Sequence, residues 1–107
     1  MNVGNFVLNK ENSLKYYRSK KCRQIAHEKY DKISLNLSGH NNIIKTNHLK
    51  KVYNLNLSYC KNVTNVKQLG LVRDLNLSYC ENITNVEQLG LGKKLKLEFL
   101  QKYNKRK

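Results

Sequence analysis

Apolar residues in the middle of the chain recur with a period of twenty residues, and within each period they alternate with polar ones. Residues 52–71 and 72–91 are near-copies that differ at five positions. Leu-x-Leu pairs recur at this interval, at Leu35/Leu37, Leu55/Leu57, Leu75/Leu77 and Leu95/Leu97. The alternation predicts short strands whose leucines share one face. Since one repeat cannot bury its leucines alone, the pattern predicts an α/β solenoid whose strands pair in parallel.

The polar part of each period predicts a turn. Ser, Thr and Asn side chains bond readily to nearby backbone, so Thr64 and Thr84 are predicted to begin a tight turn or a single helical turn on the convex side. Gly70 and Gly90 are predicted to leave that turn in the left-handed conformation. The least regular period, residues 39–51, is predicted to fill the interior with three side chains, Ile43, Ile44 and Leu49.

Three residues after the second leucine, successive repeats carry His40, Cys60 and Cys80. This arrangement resembles the leucine-rich repeat family, whose consensus has Asn or Cys at that position. The whole unit also resembles the short repeats abundant in proteins of giant amoeba-infecting DNA viruses. The resemblance covers about residues 32–100. It implies a short leucine-rich-repeat arc with a parallel sheet on its concave face, used mainly for protein–protein binding.

The N-terminal part has the composition of a helix from Ser13 to about Lys32. Its predicted apolar side comprises Leu14, Tyr17, Cys22, Ile25, Ala26 and Tyr30. We expect it to form an N-terminal helical cap on the solenoid, because end coils need a polar outer surface. Residues 1–12 are polar apart from Phe6, Val7 and Leu8, and are expected either to be poorly ordered or to pack this apolar group beneath the helix.

A second interpretation of the N-terminal part comes from the resemblance. Repeats in the similar viral proteins often follow an F-box, a helical module that docks a ubiquitin-ligase adaptor. Residues 15–30 lie where the end of such a module would be, but the Leu-Pro opening typical of an F-box is absent and the chain contains no proline. A degenerate F-box remnant is therefore the alternative to a plain cap.

The predicted organisation has three parts within one small domain of 107 residues. An N-terminal segment with the capping helix covers residues 1–31, and a basic tail covers 101–107. The leucine-rich repeats lie between them at 32–100, with units near 32–51, 52–71, 72–91 and 92–100.

The net charge of +14 is concentrated at the two ends of the chain. Residues 52–91 are neutral, whereas residues 1–51 carry +8 and residues 92–107 carry +6. Cationic ends attract polyanions, but most of these cations are Lys and no named nucleic-acid motif is present, so contact with nucleic acid is expected to be weak and non-specific. Within the repeats, opposite charges one period apart are predicted to pair: Lys61 with Glu81, Lys67 with Glu87, and Asp74 with Lys94.

The sequence contains no catalytic motif, so we expect a protein that is not an enzyme and uses no cofactor or metal. His40, Cys60 and Cys80 are zinc-compatible residue types, but the favoured interpretation is that the small cysteines fill an inner corner and bond the turn backbone. The spacing of Cys60 and Cys80 permits a disulfide, which a reducing compartment disfavours. Cys22 is also interpreted as structural.

The predicted partner-binding surface is the concave face. It comprises Tyr53, Asn54, Asn56, Tyr59, Arg73, Asp74, Asn76, Tyr79, Lys94 and Lys96. Tyr and Arg are the residue types that most often anchor protein interfaces. The unchanged recurrence of Asn36, Asn56 and Asn76 leaves open a second interpretation, a ladder of asparagines with a structural role.

The chain shows no signal peptide and no apolar run long enough for a membrane span. We therefore expect a protein that is not secreted, does not contact membranes and lies in the cytoplasm, the host cytoplasm if the protein is viral. The expected function is that of a non-enzymatic, monomeric protein–protein interaction module. The alternatives are polyanion binding through the basic ends, and a substrate-receptor fragment of an F-box/leucine-rich-repeat ubiquitin-ligase adaptor.

Overall fold

The computed structural model describes residues 5–83 and 94–95, which form one parallel sheet and two helices. The strands follow chain order in the sheet: β1 Asn5–Val7, β2 Lys32–Asn36, β3 Asn54–Asn56, β4 Asp74–Asn76 and β5 Lys94–Leu95. The helices, α1 Lys10–Arg18 and α2 Lys20–Lys29, lie between β1 and β2 in the chain. The described part of the protein is therefore an α/β fold.

The twenty-residue period sets the register of the sheet. Leu35, Leu55, Leu75 and Leu95 are partners in successive parallel strands. Hydrogen bonds continue this ladder past the strand ends, since the Leu37 N–H donates to the Asn56 carbonyl and the Leu57 N–H to the Asn76 carbonyl, both at 2.9 Å. The predicted parallel pairing is confirmed, and β5 extends it to a fourth repeat.

The core lies on the leucine side of the sheet. Leucines of the first three Leu-x-Leu pairs are 0–3% exposed, and they pack with the apolar residues of the turns, including Ile43, Leu49, Val63, Val66 and Leu69. The prediction that Ile44 fills the interior is wrong, because its side chain is 58% exposed. The adjacent Ile43 takes the interior position, and consecutive residues in extended chain point to opposite sides.

Both turns that lie wholly within the described residues contain a single helical turn, as predicted, a 3-10 helix at Asn47–Leu49 and at Lys67–Leu69. The predicted role of Gly70 is wrong, because its φ of −61° is right-handed. Positive φ occurs instead just after the strands, at Gly39, Tyr59 and Tyr79. The sharp change of chain direction therefore lies at the carboxyl ends of β2, β3 and β4 and not after the helical turn. Thr84 and Gly90 lie outside the described residues.

The predicted single helix is wrong, because Ser19 divides it into α1 and α2. Ser19 has extended backbone, with φ −115° and ψ 116°. Its N–H closes α1 by donating to the Lys15 carbonyl at 3.0 Å, and its Oγ opens α2 by accepting from the Cys22 N–H at 3.2 Å. Serine is among the residues that best cap a helix start, so a helical composition here produced two short helices.

Residues 5–7 form a strand that sequence analysis did not predict. β1 pairs in parallel with β2, and parallel neighbours need a long crossover, which α1 and α2 supply. Phe6 stacks on Tyr30 with ring centroids 4.2 Å apart, which confirms packing for part of the apolar group, while Val7 is 74% exposed. The crossover buries Tyr16 and Ala26 in the core, but Cys22 and Ile25, both assigned to the apolar side, are exposed.

Candidate functional site

The face of the sheet opposite the leucines carries most of the predicted partner-binding residues. Asn54 and Arg73 are exposed there, while Asn56, Asp74 and Asn76 are half-buried. The Asn56 Oδ1 accepts from both the N–H and the Oγ of Ser58, at 2.9 and 2.7 Å, and Asn76 binds Ser78 in the same way at 3.0 and 2.7 Å.

Asn36 repeats this arrangement with Ser38, at 3.1 and 2.8 Å. These asparagines therefore form the structural ladder that sequence analysis left open, because their carbonyl oxygens satisfy the turn that ends each strand. Asn54 is the asparagine of this face whose side chain projects to solvent.

Tyr59 and Tyr79 form a stacked pair at the carboxyl edge of the same face. Their rings are 4.8 Å apart and 11° from parallel, and they remain 57% and 38% exposed. Both residues have left-handed backbone, with φ of 63° and 61°. Such a conformation costs a non-glycine residue about 1–2 kcal/mol and persists only where the surroundings impose it. Here the sheet ladder imposes it, since the Tyr59 N–H donates to the Ser78 carbonyl at 2.9 Å.

Gly39 occupies the equivalent position one repeat earlier, with φ of 75° and its N–H donating to the Ser58 carbonyl at 2.8 Å. Because Gly39 has no side chain, the ring face of Tyr59 turned away from Tyr79 meets no third ring among the described residues. A Cβ on Gly39 would lie 3.9 Å from the Lys10 Nζ. The first of the three equivalent positions therefore holds a glycine with the Lys10 ammonium group beside it, while the next two hold the stacked rings.

The other predicted site residues lie nearer the start of the strands. The Lys32 Nζ lies 4.9 Å above the Tyr53 ring, so a cation already covers one face of this tyrosine. The Asp74 Oδ1 is buried without a hydrogen-bond partner among the described residues, and Lys94 lies directly opposite Asp74 in the sheet register. Lys96 lies outside the described residues, as does Glu87, the predicted partner of Lys67.

The cysteines of the repeats take the predicted place in the inner corner. The Cys60 Sγ donates to the Leu37 carbonyl at 3.1 Å, and the Cys80 Sγ to the Leu57 carbonyl at 2.9 Å. Burial raises the pKa of the Cys60 thiol, and raises that of Cys80 to about 11. Cys22, Cys60 and Cys80 are free thiols, and the described residues contain no cluster of three potential metal ligands.

A basic pocket, which sequence analysis missed, lies between α2 and the turn that precedes β3. Its volume is about 400 Å³, and it is lined by Tyr16, Lys20, Arg23, Gln24, His27, Glu28, Asn47, His48, Lys50 and Lys51. The sequence shows basic residues in both segments, but more than twenty residues separate them. Only the crossover, which lays α2 against the first repeat, brings them together.

Neither helix in residues 5–83 and 94–95 is long and apolar enough to cross a bilayer. Comparison with known proteins finds no matching family model, no matching curated protein and no matching solved structure.

Proposed function

We propose that this protein is a non-enzymatic protein–protein interaction module of the leucine-rich-repeat type. In this proposal the repeats form a short solenoid arc, the sheet lines its concave face, and β1, α1 and α2 cover its first coil. The twenty-residue register of β2 to β5 and the leucine core on one side of the sheet support the arc. The free thiols agree with a reducing compartment such as the cytoplasm.

The observation that carries the binding role is the exposed Tyr59–Tyr79 stack. Tyrosine supplies large contact area at low entropic cost, and it is enriched among residues that dominate binding energy. The ladder hydrogen bond of Tyr59 and the stacking of its ring on Tyr79 position the pair before any partner arrives. Preorganisation of this kind lowers the cost of association. In this proposal the exposed rings of Tyr59 and Tyr79 contact the partner.

An affinity pull-down with the Tyr59→Ala and Tyr79→Ala variants tests this proposal. The Ala variants keep the Cβ, so the backbone strain at these positive-φ positions is unchanged while the rings are lost. We expect each variant to lose partners that the unaltered protein retains at moderate salt. Ile44→Ala is the matched control, because Ile44 is equally exposed but lies on the turn side of the fold. Equal recovery of the same partners by all variants would exclude the tyrosine stack as the binding surface.

Polyanion binding is the second candidate, favoured by the basic charge of residues 1–51. Salt separates the two candidates, because binding to a polyanion falls steeply with salt while a complex centred on Tyr59 and Tyr79 should largely persist. Partners that are exclusively nucleic acids or acidic proteins, and that dissociate at high salt, would favour this second candidate.

The F-box alternative concerns α1 and α2 alone. A substrate-receptor role requires these helices to bind the ubiquitin-ligase adaptor, and a pull-down with purified adaptor beside an authentic F-box protein tests it. Absence of binding in that comparison would exclude a working F-box.

A further inference from the structure

A half-buried hydrogen bond lies at the wall of the basic pocket. The hydroxyl of Tyr16, a residue 3% exposed on α1, lies 2.5 Å from the His27 Nε2 on α2. His48, from the turn that precedes β3, meets the Tyr17 ring edge-on with centroids 5.9 Å apart. Two imidazoles from different elements therefore line one cavity, each held in place by an aromatic neighbour.

Arg23 is anchored at the same pocket. Its Nη1 donates to the carbonyl oxygens of Tyr16 and Tyr17, at 3.1 and 2.7 Å, which fixes the guanidinium against the carboxyl end of α1. Arginine has five N–H donors in a planar fork, so Nε and Nη2 remain for other acceptors. An anchored guanidinium loses little further entropy when it binds an anion.

The lining has a strong excess of positive charge. Lys20, Arg23, Lys50 and Lys51 contribute four cations, and Glu28 is the one carboxylate among the lining residues. Cations held together at one cavity repel each other, and a bound anion relieves that repulsion. A volume of about 400 Å³ is within the range of pockets that hold small organic ligands.

We propose that this pocket binds a doubly charged tetrahedral oxyanion, the phosphoryl group of a small organic phosphate. The site is separate from the tyrosine surface and does not depend on the protein-binding role. The oxyanion would accept from the free donors of Arg23 and from the ammonium groups of Lys20 and Lys51. Tyr16 and the imidazoles of His27 and His48 would line the remainder of the cavity.

The histidine pKa values support the proposal. Burial lowers the pKa of His27, and the charge of Lys51 lowers it further. Burial also lowers the pKa of His48, assisted by Arg23 and Lys45. A dianion in the pocket would oppose these effects, because it favours the protonated imidazole. Binding should therefore raise both pKa values, and an oxyanion that stays doubly charged should bind more tightly as the histidines become protonated.

NMR titration of the histidine ring protons in the full chain tests the proposal. Sulfate is the first probe, because it stays doubly charged across the pH range of histidine titration. Sulfate, at constant ionic strength against chloride, should shift the His27 and His48 resonances and raise both pKa values. His40, which does not line the pocket, is the internal control. Inorganic phosphate and ribose 5-phosphate, added next at one pH, should shift the same two histidine resonances, which compares a free anion with an organic ester.

Two double variants distinguish specific binding of sulfate in the pocket from its non-specific attraction to a basic surface. Lys20→Gln/Lys51→Gln removes two lining cations and should weaken sulfate binding about tenfold or more. Lys21→Gln/Lys61→Gln removes the same charge from exposed positions outside the lining and should leave the affinity nearly unchanged. Equal weakening by both double variants, or histidine shifts that chloride reproduces, would overturn the proposal.

Discussion

At the scale of single residues, the cysteines show how position decides reactivity. Cys60 and Cys80 are buried and donate to carbonyl oxygens of the preceding repeat, while Cys22 is exposed on α2. Burial disfavours the thiolate, which is the reactive form. The three thiols of one chain therefore belong to two reactivity classes.

We expect a thiol reagent such as Ellman's reagent to label one cysteine per native chain rapidly near pH 8, and all three after unfolding in urea. The reason is that the pKa of Cys80 is raised to about 11 and that of Cys60 is also raised, while Cys22 is accessible. A Cys22→Ser variant should show no rapid labelling. Rapid modification of two or three thiols in the native protein would contradict the burial of Cys60 and Cys80.

Asn54 and Asn56 allow a matched comparison between an exposed asparagine and one that belongs to the hydrogen-bonded ladder. Asn56→Ala should lower the free energy of unfolding by about 1–3 kcal/mol, because it leaves the N–H and hydroxyl of buried Ser58 without their acceptor. Asn54→Ala, two residues away on the same strand and exposed, should change it by less than about 0.5 kcal/mol. Urea unfolding followed by circular dichroism measures both values, and similar losses for the two variants would refute the ladder role.

At the scale of elements, the position of a leucine within the repeat determines whether it is buried and so contributes to stability. Leu55→Ala should cost about 2–5 kcal/mol of unfolding free energy, because Leu55 is fully buried in β3 between the leucines of β2 and β4. Leu71→Ala removes the same atoms from a side chain that is 86% exposed and should change stability by less than about 0.5 kcal/mol.

Equilibrium unfolding of the two leucine variants checks this prediction. A Leu71→Ala loss as large as that of Leu55→Ala would show that the turn after the 3-10 helix is part of the core.

The first element shows how a tertiary partner creates secondary structure. A three-residue strand such as Asn5–Val7 gains its hydrogen bonds only from β2, so nothing in its local sequence required it. Ser13 links α1 to the ends of β1 and β2. Its Oγ donates to the Leu8 carbonyl at 3.2 Å and accepts from the Asn36 N–H at 2.9 Å. Sequence analysis treated Ser13 only as the start of a helix, since a hydroxyl bridge between α1 and two strand ends leaves no periodic signal.

At the scale of the whole molecule, the packing of α2 against the first repeat places two histidines among cations. His27 faces Tyr16 of α1, Lys20, Arg23 and Glu28 of α2, and Lys50 and Lys51 of the turn before β3. His48 faces the same cavity and lies near Lys45 and the Tyr17 ring. The folded state therefore favours both imidazoles in their neutral form.

Stability should consequently fall with acid. In the unfolded chain both histidines titrate near 6.5, but in the folded protein their pKa values are lower. The contribution to stability is complete above about 6.5 and is lost as the pH falls through the folded values. Urea unfolding from pH 8 to pH 5 should show this loss, and the His27→Gln/His48→Gln variant should show a smaller one. An equal pH dependence in the variant would assign the loss to other groups.

The predicted partner-binding surface shows how far the twenty-residue period predicts backbone conformation. Tyr59 and Tyr79 are predicted site residues because tyrosine often anchors interfaces, but the left-handed backbone that they adopt is predicted for Gly70 instead. The period shows that residues occupy equivalent positions, but it does not show which of them turns the chain. Gly39 does belong to that turn, at the position that Tyr59 and Tyr79 occupy in the following repeats.

The sequence by itself determined the parallel register and the leucine core, because a repeat of twenty residues stacks in only one alignment that buries every Leu-x-Leu pair on one side. It also determined the cysteine corner, since each thiol meets the carbonyl of an equivalent residue one repeat earlier. The tertiary structure alone decided β1 and the basic pocket, and it also revealed the division of the helix at Ser19. β1 and the basic pocket join segments that share no period, so their contacts depend on how the chain crosses over, while the break at Ser19 follows from local capping that the helical composition does not reveal.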